Sequence, residues 1–213
     1  MSEKLNYYYE ALEEKLNVIS HAIGFILSAV AFPSLVYKAL DYDGFLKPIS
    51  FLIYGASLLL LYAASTLYHA AKNPKKRRKL NILDHAAIYV LIAGSFTPFC
   101  LVTLGNKPIG FYLFIFIWIF ALIGVILKLF FTGKFQKLST AMYLLMGWQV
   151  VFFIKPLIEN LSTFNLNLLF AGGFFYSIGA VLYAIKKIPY NHAIFHVFVL
   201  LGSICHFIAI FNL

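Results

Sequence analysis

Long apolar runs broken by short polar turns set the pattern of the chain. Seven runs approach or exceed the roughly 20 apolar residues that cross about 30 Å of hydrocarbon as a helix. They occupy residues 18–40, 49–70, 83–104, 109–131, 140–158, 166–185 and 193–213. The breaks are Asp41-Tyr42-Asp43-Gly44, the basic stretch from Lys72 to Lys79, Gly105-Asn106-Lys107-Pro108, Thr132-Gly133-Lys134, Glu159-Asn160 and Lys186-Lys187-Ile188-Pro189. All carry turn-forming or charged residues. The runs are too long for strands and do not alternate. In lipid each must be helical, because backbone groups find no water there. The pattern predicts an all-α membrane protein of seven transmembrane helices, with consecutive helices antiparallel. Residues 17–213 form the membrane domain, after a short N-terminal segment of residues 1–16. Within that segment residues 4–16 read as an amphipathic helix or tail.

Composition supports lipid as the main solvent. Apolar residues make up 62% of the chain and charged residues only 12%, about half the fraction of a soluble domain. Mean hydropathy is +0.86. The net charge of +9 would suit nucleic acid if it formed a patch, but the charges sit at the ends of apolar runs. They read as membrane anchors, and no nucleic-acid partner is expected. With the N-terminus inside, only Lys38, Lys47, Lys107 and Lys155 among the 17 basic residues fall outside. The positive-inside bias therefore predicts a cytoplasmic N-terminus, an outer C-terminus and a multi-pass protein of the cell membrane. Glu3, Glu10, Glu13 and Glu14 near the start argue against a secretory signal. Cys100 and Cys205 both lie in apolar runs and read as reduced thiols.

This topology puts chemistry-bearing residues at one level. Ser65 and His69 end the second span, Asp84 and His85 begin the third, His192 and His196 begin the seventh, and His21 begins the first. Only His206 lies elsewhere, ten residues past His196, about 15 Å along a helix at 1.5 Å per residue. The pairs Ser65/His69 and His192/His196 are each spaced i, i+4 and share a helix face. Three imidazoles from two helices, with a carboxylate from a third, match a zinc site with an open position. The assignment is His69, His192 and His196 as ligands. Asp84 would hydrogen-bond a water at the open position and act as its base. Ser65, one turn deeper, would be a supporting residue or a donor to substrate oxygen. Zinc is a preference among imidazole-binding metals.

Plainer readings stand beside these. Interfacial histidines can be anchors, Ser65 can serve helix packing, and Asp84 can cap the third helix. His85 points about 100° from Asp84, and His206 reads as a buried polar contact. Glu14, Asn17 and His21 line one face at the inner end of the first span; they could buttress the site or merely start the helix. Pro98 should kink the third span, and Gly172-Gly173 should allow close packing in the sixth.

Four motifs carry a family resemblance over nearly the whole chain. They are Glu14-x-x-Asn17-x-x-x-His21, Ser65-Thr66-Leu67-Tyr68-His69, the stretch from Asp84-His85 to Gly94-Ser95-Phe96-Thr97-Pro98, and His192-x-x-x-His196-x-x-x-x-x-Gly202. In them the chain resembles the haemolysin III family, the bacterial branch of the progestin and adipoQ receptor family, within a wider superfamily of membrane metal hydrolases. The resemblance implies seven helices with an inward N-terminus and zinc on His69, His192 and His196, with the family's serine and aspartate at Ser65 and Asp84. The long N-terminal extension of the animal receptors has no counterpart here, so a hormone-receptor role is not implied.

Three functions are expected from this. The first is a zinc-dependent hydrolase of a lipid amide or ester, ceramidase-like, with membrane lipid as both solvent and substrate. The second is a non-enzymatic regulator or sensor of membrane lipid composition with structural zinc, in which His21 or Asp84 would be a fourth ligand. The third is a pore-forming haemolysin, which long, uninterrupted, strongly apolar spans argue against.

Overall fold

The computed structural model describes residues 10–132 and 136–213. Among these there are eight α-helices and no strand: α1 (Ala11–Ala39), α2 (Leu46–Ala70), α3 (Pro74–Pro98), α4 (Pro108–Phe131), α5 (Gln136–Trp148), α6 (Ile154–Asn160), α7 (Thr163–Ala184) and α8 (Asn191–Phe211). They supply seven segments long and apolar enough to cross a membrane, with Leu138–Asn160 spread over α5 and α6.

Three boundaries differ from the sequence expectation. Helix α1 starts at Ala11, so residues 11–16 continue the first span rather than form a separate segment; residues 4–9 of the expected amphipathic stretch lie outside the described residues. Helix α3 starts at Pro74 rather than near Asp84, because the Asn73 side chain accepts from Lys75 N (3.0 Å) and Lys76 N (3.1 Å), and Pro74 opens the helix without needing a donor. Most of the expected basic loop is thus helical, and Asp84 sits ten residues inside α3 instead of capping it. The fifth span is broken by a 3₁₀ turn at Gln149–Phe153. Pro156 lacks the N–H that would bond to the Phe152 carbonyl, and its ring crowds that group.

The expected disturbance at Pro98 takes the form of a π-helical turn over Phe99–Thr103. Gly172 lets α7 approach α8: a Cβ there would stand 3.1 Å from the Gly202 carbonyl and meet the His206 ring. Gly173 is not at a close crossing, since only Trp148 lies near it, at 3.9 Å from such a Cβ. Gly133 and Lys134 of the expected fourth turn lie outside the described residues. Cys100 and Cys205 are both free thiols.

Helix α1 packs on both α2 and α8, α3 on α2 and α4, and α5 on α3 and α7. Helices α2 and α3 are central, with 56% and 67% of their apolar windows buried against 22% for α1 and α4. On α4 the buried positions Gly110, Ile117, Ala121, Gly124 and Lys128 form one helical stripe. The opposite face carries exposed Phe116, Ile119, Ile123 and Phe130, as expected beside lipid. A polar clasp joins the middle of the bundle: Tyr62 donates to Ser203 Oγ at 2.8 Å, and Tyr176 O–H stands 3.0 Å from the same oxygen.

Candidate metal centre

His69 lies in the last turn of α2, and His192 and His196 lie one turn apart at the start of α8. All three are buried. Their rings meet edge-on, with centroids 5.0 Å apart for His69–His192, 5.1 Å for His69–His196 and 4.5 Å for His192–His196. One ligand atom from each lies within 4.8 Å of the other two. Two nitrogens on one zinc ion stand at most about 4.2 Å apart, given Zn–N near 2.0–2.1 Å. Small ring movements close that difference, so the triad is close enough to bind a metal ion.

Hydrogen bonds behind the rings select the tautomers. Glu14 Oε2 lies 2.7 Å from His69 Nδ1. A carboxylate only accepts, so Nδ1 carries the proton and donates, leaving the lone pair on Nε2. The Ser20 hydroxyl donates to the Asn17 carbonyl at 3.1 Å, and its oxygen lies 3.2 Å from His196 Nδ1. Its single proton is engaged, so the oxygen accepts from His196 Nδ1–H, and again Nε2 keeps the lone pair. Two of the three rings are therefore prepared as ligands by partners on α1, the support that metal-binding histidines ordinarily have.

Helix α1 contributes more than these two contacts. The Asn17 carboxamide lies 3.4 Å from His69 Nδ1. His21 stacks on His196 with centroids 3.5 Å apart and planes 15° from parallel. Glu13 Oε1 accepts from the His192 backbone N–H at 3.1 Å. That bond replaces a cap: the residue before α8 is Tyr190 at φ 54°, which offers no side-chain acceptor. Lys186, just beyond α7, has its ammonium pKa lowered by burial, against the opposing pull of the Glu13 carboxylate. The face shared by Glu14, Asn17 and His21 thus buttresses the site.

Arg77 completes the support from α3. It is 1% exposed. Its Nη1 donates to the carbonyls of Tyr68 (3.1 Å), His69 (3.2 Å) and Ala71 (3.4 Å), which satisfies the end of α2. Its Nη2 pairs with Glu14 Oε1. One guanidinium therefore holds both the helix end that carries His69 and the carboxylate that orients the ring.

Ser65 and Asp84 line the same cavity as His192 and His196. Ser65 is fully buried, and among the described residues its Oγ has no hydrogen-bond partner. Asp84 is 8% exposed, with Oδ2 at 3.7 Å from His85 Nδ1. Among the described residues the ligand group closes at three histidines; neither Asp84 nor His21 joins it. His85 also lines the cavity without joining the group, and His206 donates to the Leu169 carbonyl at 3.2 Å, a buried polar contact. Glu13, Ser20 and Arg77 were not singled out from sequence. Glu13 and Ser20 fall near the Glu14–His21 face; Arg77 lay hidden among basic neighbours.

The cavity continues away from the triad between α2, α3, α5, α7 and α8, past Leu61, Leu91, Phe96, Trp148 and Val199 to His206. It is mostly apolar, with Ser65, Asp84, His192 and His196 among its polar groups. Such a shape suits a molecule with one reactive polar group and a long apolar part.

Comparison with known proteins agrees with this architecture. Residues 9–207 match the Haemolysin-III related family. Hemolysin-3 of Bacillus cereus is 44% identical over 211 residues, spanning 99% of this chain and 96% of that protein. The Hemolysin-3 homolog of Bacillus subtilis (strain 168) is 46% identical over 198 residues, 93% of this chain and 92% of that one. The human Monocyte to macrophage differentiation factor is 30% identical over 207 residues, 94% of this chain and 84% of that protein. The chain belongs to the haemolysin III family.

Proposed function

We propose that the protein is an integral-membrane zinc-dependent hydrolase acting on a lipid amide or ester. The observation that carries this reading is the three-histidine group, in which His69 and His196 are oriented from behind and His192 and His196 line a largely apolar cavity. His69, His192 and His196 would hold the ion. Bound zinc supplies Lewis acidity, polarising a carbonyl oxygen and making water a stronger acid. The cavity takes the acyl chain and excludes bulk water. Asp84, which lines the same cavity, takes a proton from the attacking water and returns it to the departing amine or alcohol. The unpartnered Ser65 hydroxyl donates to the substrate oxygen as charge gathers there. By the positive-inside bias the triad end faces the cytoplasm across the cell membrane.

The group of three favours this reading over a structural staple, which ordinarily has four protein ligands. The test is hydrolysis of a panel of N-acyl-amide and acyl-ester lipids by purified, zinc-loaded protein. His192→Ala and Asp84→Asn should each abolish turnover. Activity that persists in both variants would sink the assignment.

A further inference from the structure

Lys128 is three residues from the end of α4, close enough for its stem to carry the ammonium out to the interface. It instead belongs to the inward stripe of Ile117, Ala121 and Gly124 and is 3% exposed. Its Nζ donates to Ser139 Oγ at 2.6 Å and stands 5.8 Å from the centre of the Tyr143 ring. Among the described residues no carboxylate forms an ion pair with it. An ammonium has three donors, and a buried cation of this kind calls for an anion. Ionisable groups inside membrane bundles tend to be kept for function.

Two hollows meet at this side chain. Lys128 and Ser139 line the central cavity, and they also line a second pocket between α4 and α5 with Leu127, Phe131, Leu138 and Met142. Leu127, Phe131 and Leu138 are exposed on the outer, lipid-facing surface. Asp84, which would repel an anion, lines the first hollow but not the second.

We propose that Lys128 and Ser139 form an anion-binding subsite at a lateral entrance between α4 and α5, and that the ligand is a single-chain amphiphile with a carboxylate or phosphate head. The apolar tail occupies the central cavity, the ammonium holds the anionic oxygens, and the Ser139 hydroxyl donates to them. The inference rests on the reading of the cavity as a lipid site and names the charge of that lipid.

The test measures binding to the full chain in neutral phosphatidylcholine nanodiscs. Four probes are compared: palmitate, 1-palmitoyl-lysophosphatidate, neutral 1-monopalmitoylglycerol and inorganic phosphate. Two of them are acyl esters, so binding is read on the metal-free protein, in which no turnover consumes the probes. At least one charged amphiphile should bind about tenfold more tightly than the neutral one, the scale of a charge-assisted hydrogen bond. Which one does so identifies the head group. Lys128→Met should remove the difference between charged and neutral probes, while Lys128→Arg retains it; Ser139→Ala should weaken it. The comparison in the unaltered protein stands even if a variant fails to fold. Equal binding of charged and neutral probes would overturn the subsite while leaving the hydrolase reading intact. Inorganic phosphate binding as tightly as the amphiphiles would overturn the single-chain ligand. Failure of every palmitoyl probe to bind would overturn both. Charge preference without hydrolysis would uphold the subsite alone.

Discussion

Glu14 is predicted to govern metal affinity through His69, separately from its contribution to folding. Its two oxygens face two groups: Oε2 accepts from His69 Nδ1–H at 2.7 Å, and Oε1 pairs with Arg77. The side chains of His69 and Arg77 are 0% and 2% exposed, and that of Glu14 is 15% exposed. Glu14→Ala removes the acceptor that fixes the tautomer of His69. Loss of such a partner commonly costs 10–100-fold in metal affinity, or about 1.4–2.8 kcal/mol. The same change strips Arg77 of its carboxylate. Breaking a buried pair costs about 3–5 kcal/mol when the remaining charge is uncompensated. Here the guanidinium keeps its carbonyl acceptors and the acid is partly exposed, so about 2 kcal/mol is expected. Affinity is read by competition with a chromophoric chelator, and stability by thermal unfolding of the metal-free protein. Adding Arg77→Met to Glu14→Ala should lower stability further, because the Tyr68, His69 and Ala71 carbonyls lose their donor, and should restore none of the affinity. Glu14→Gln, which keeps an acceptor but no charge, should fall between wild type and Glu14→Ala in affinity. A Glu14→Ala protein with lowered stability but metal affinity within about twofold of wild type would refute the orienting role and leave Glu14 a purely structural acid.

Ser20→Ala should weaken metal binding about tenfold in the same titration, because His196 loses the oxygen that accepts from Nδ1. Gly24→Ala should lower thermal stability by about 1–3 kcal/mol, since a Cβ there would run into the Tyr62 ring and push α1 from α2. Asn73→Ala should cost about 1 kcal/mol by thermal unfolding, through loss of the bonds to Lys75 N and Lys76 N.

The parts legible in the sequence were those governed by spacing and by the bilayer. A span must be a helix of about 20 apolar residues, so seven spans could be counted directly. His192 and His196 share a face at any i, i+4 spacing, and short connections bring the end of one helix level with the start of the next. The histidine triad follows from those two facts. The start of α3 was obscured by the convention that a run of charge between spans is a loop. Lys and Arg are good helix formers, and outside the hydrocarbon they remain solvated while the helix continues. Asn73-Pro74 carried the stop-and-start signal, an acceptor side chain followed by a residue suited to the first helical position. Reading it would have placed Asp84 inside the helix and taken away its alternative role as a cap.

The supporting residues were harder to read because their partners are remote in sequence. Glu13 reaches the backbone of His192, 179 residues away, and no local spacing encodes that bond. Helix handedness helps only after the fold is known: Glu13, Asn17, Ser20 and His21 then follow as one side of α1 laid between α2 and α8. Lys128 had a local signal. On a helix with exposed Phe, Ile and Leu, the stripe of small residues marks the face that packs inward, and a lysine at the next helical step must point the same way. A charge on that stripe faces protein instead of lipid or water. It must find its partners inside the bundle, and Ser139 on α5 is one of them.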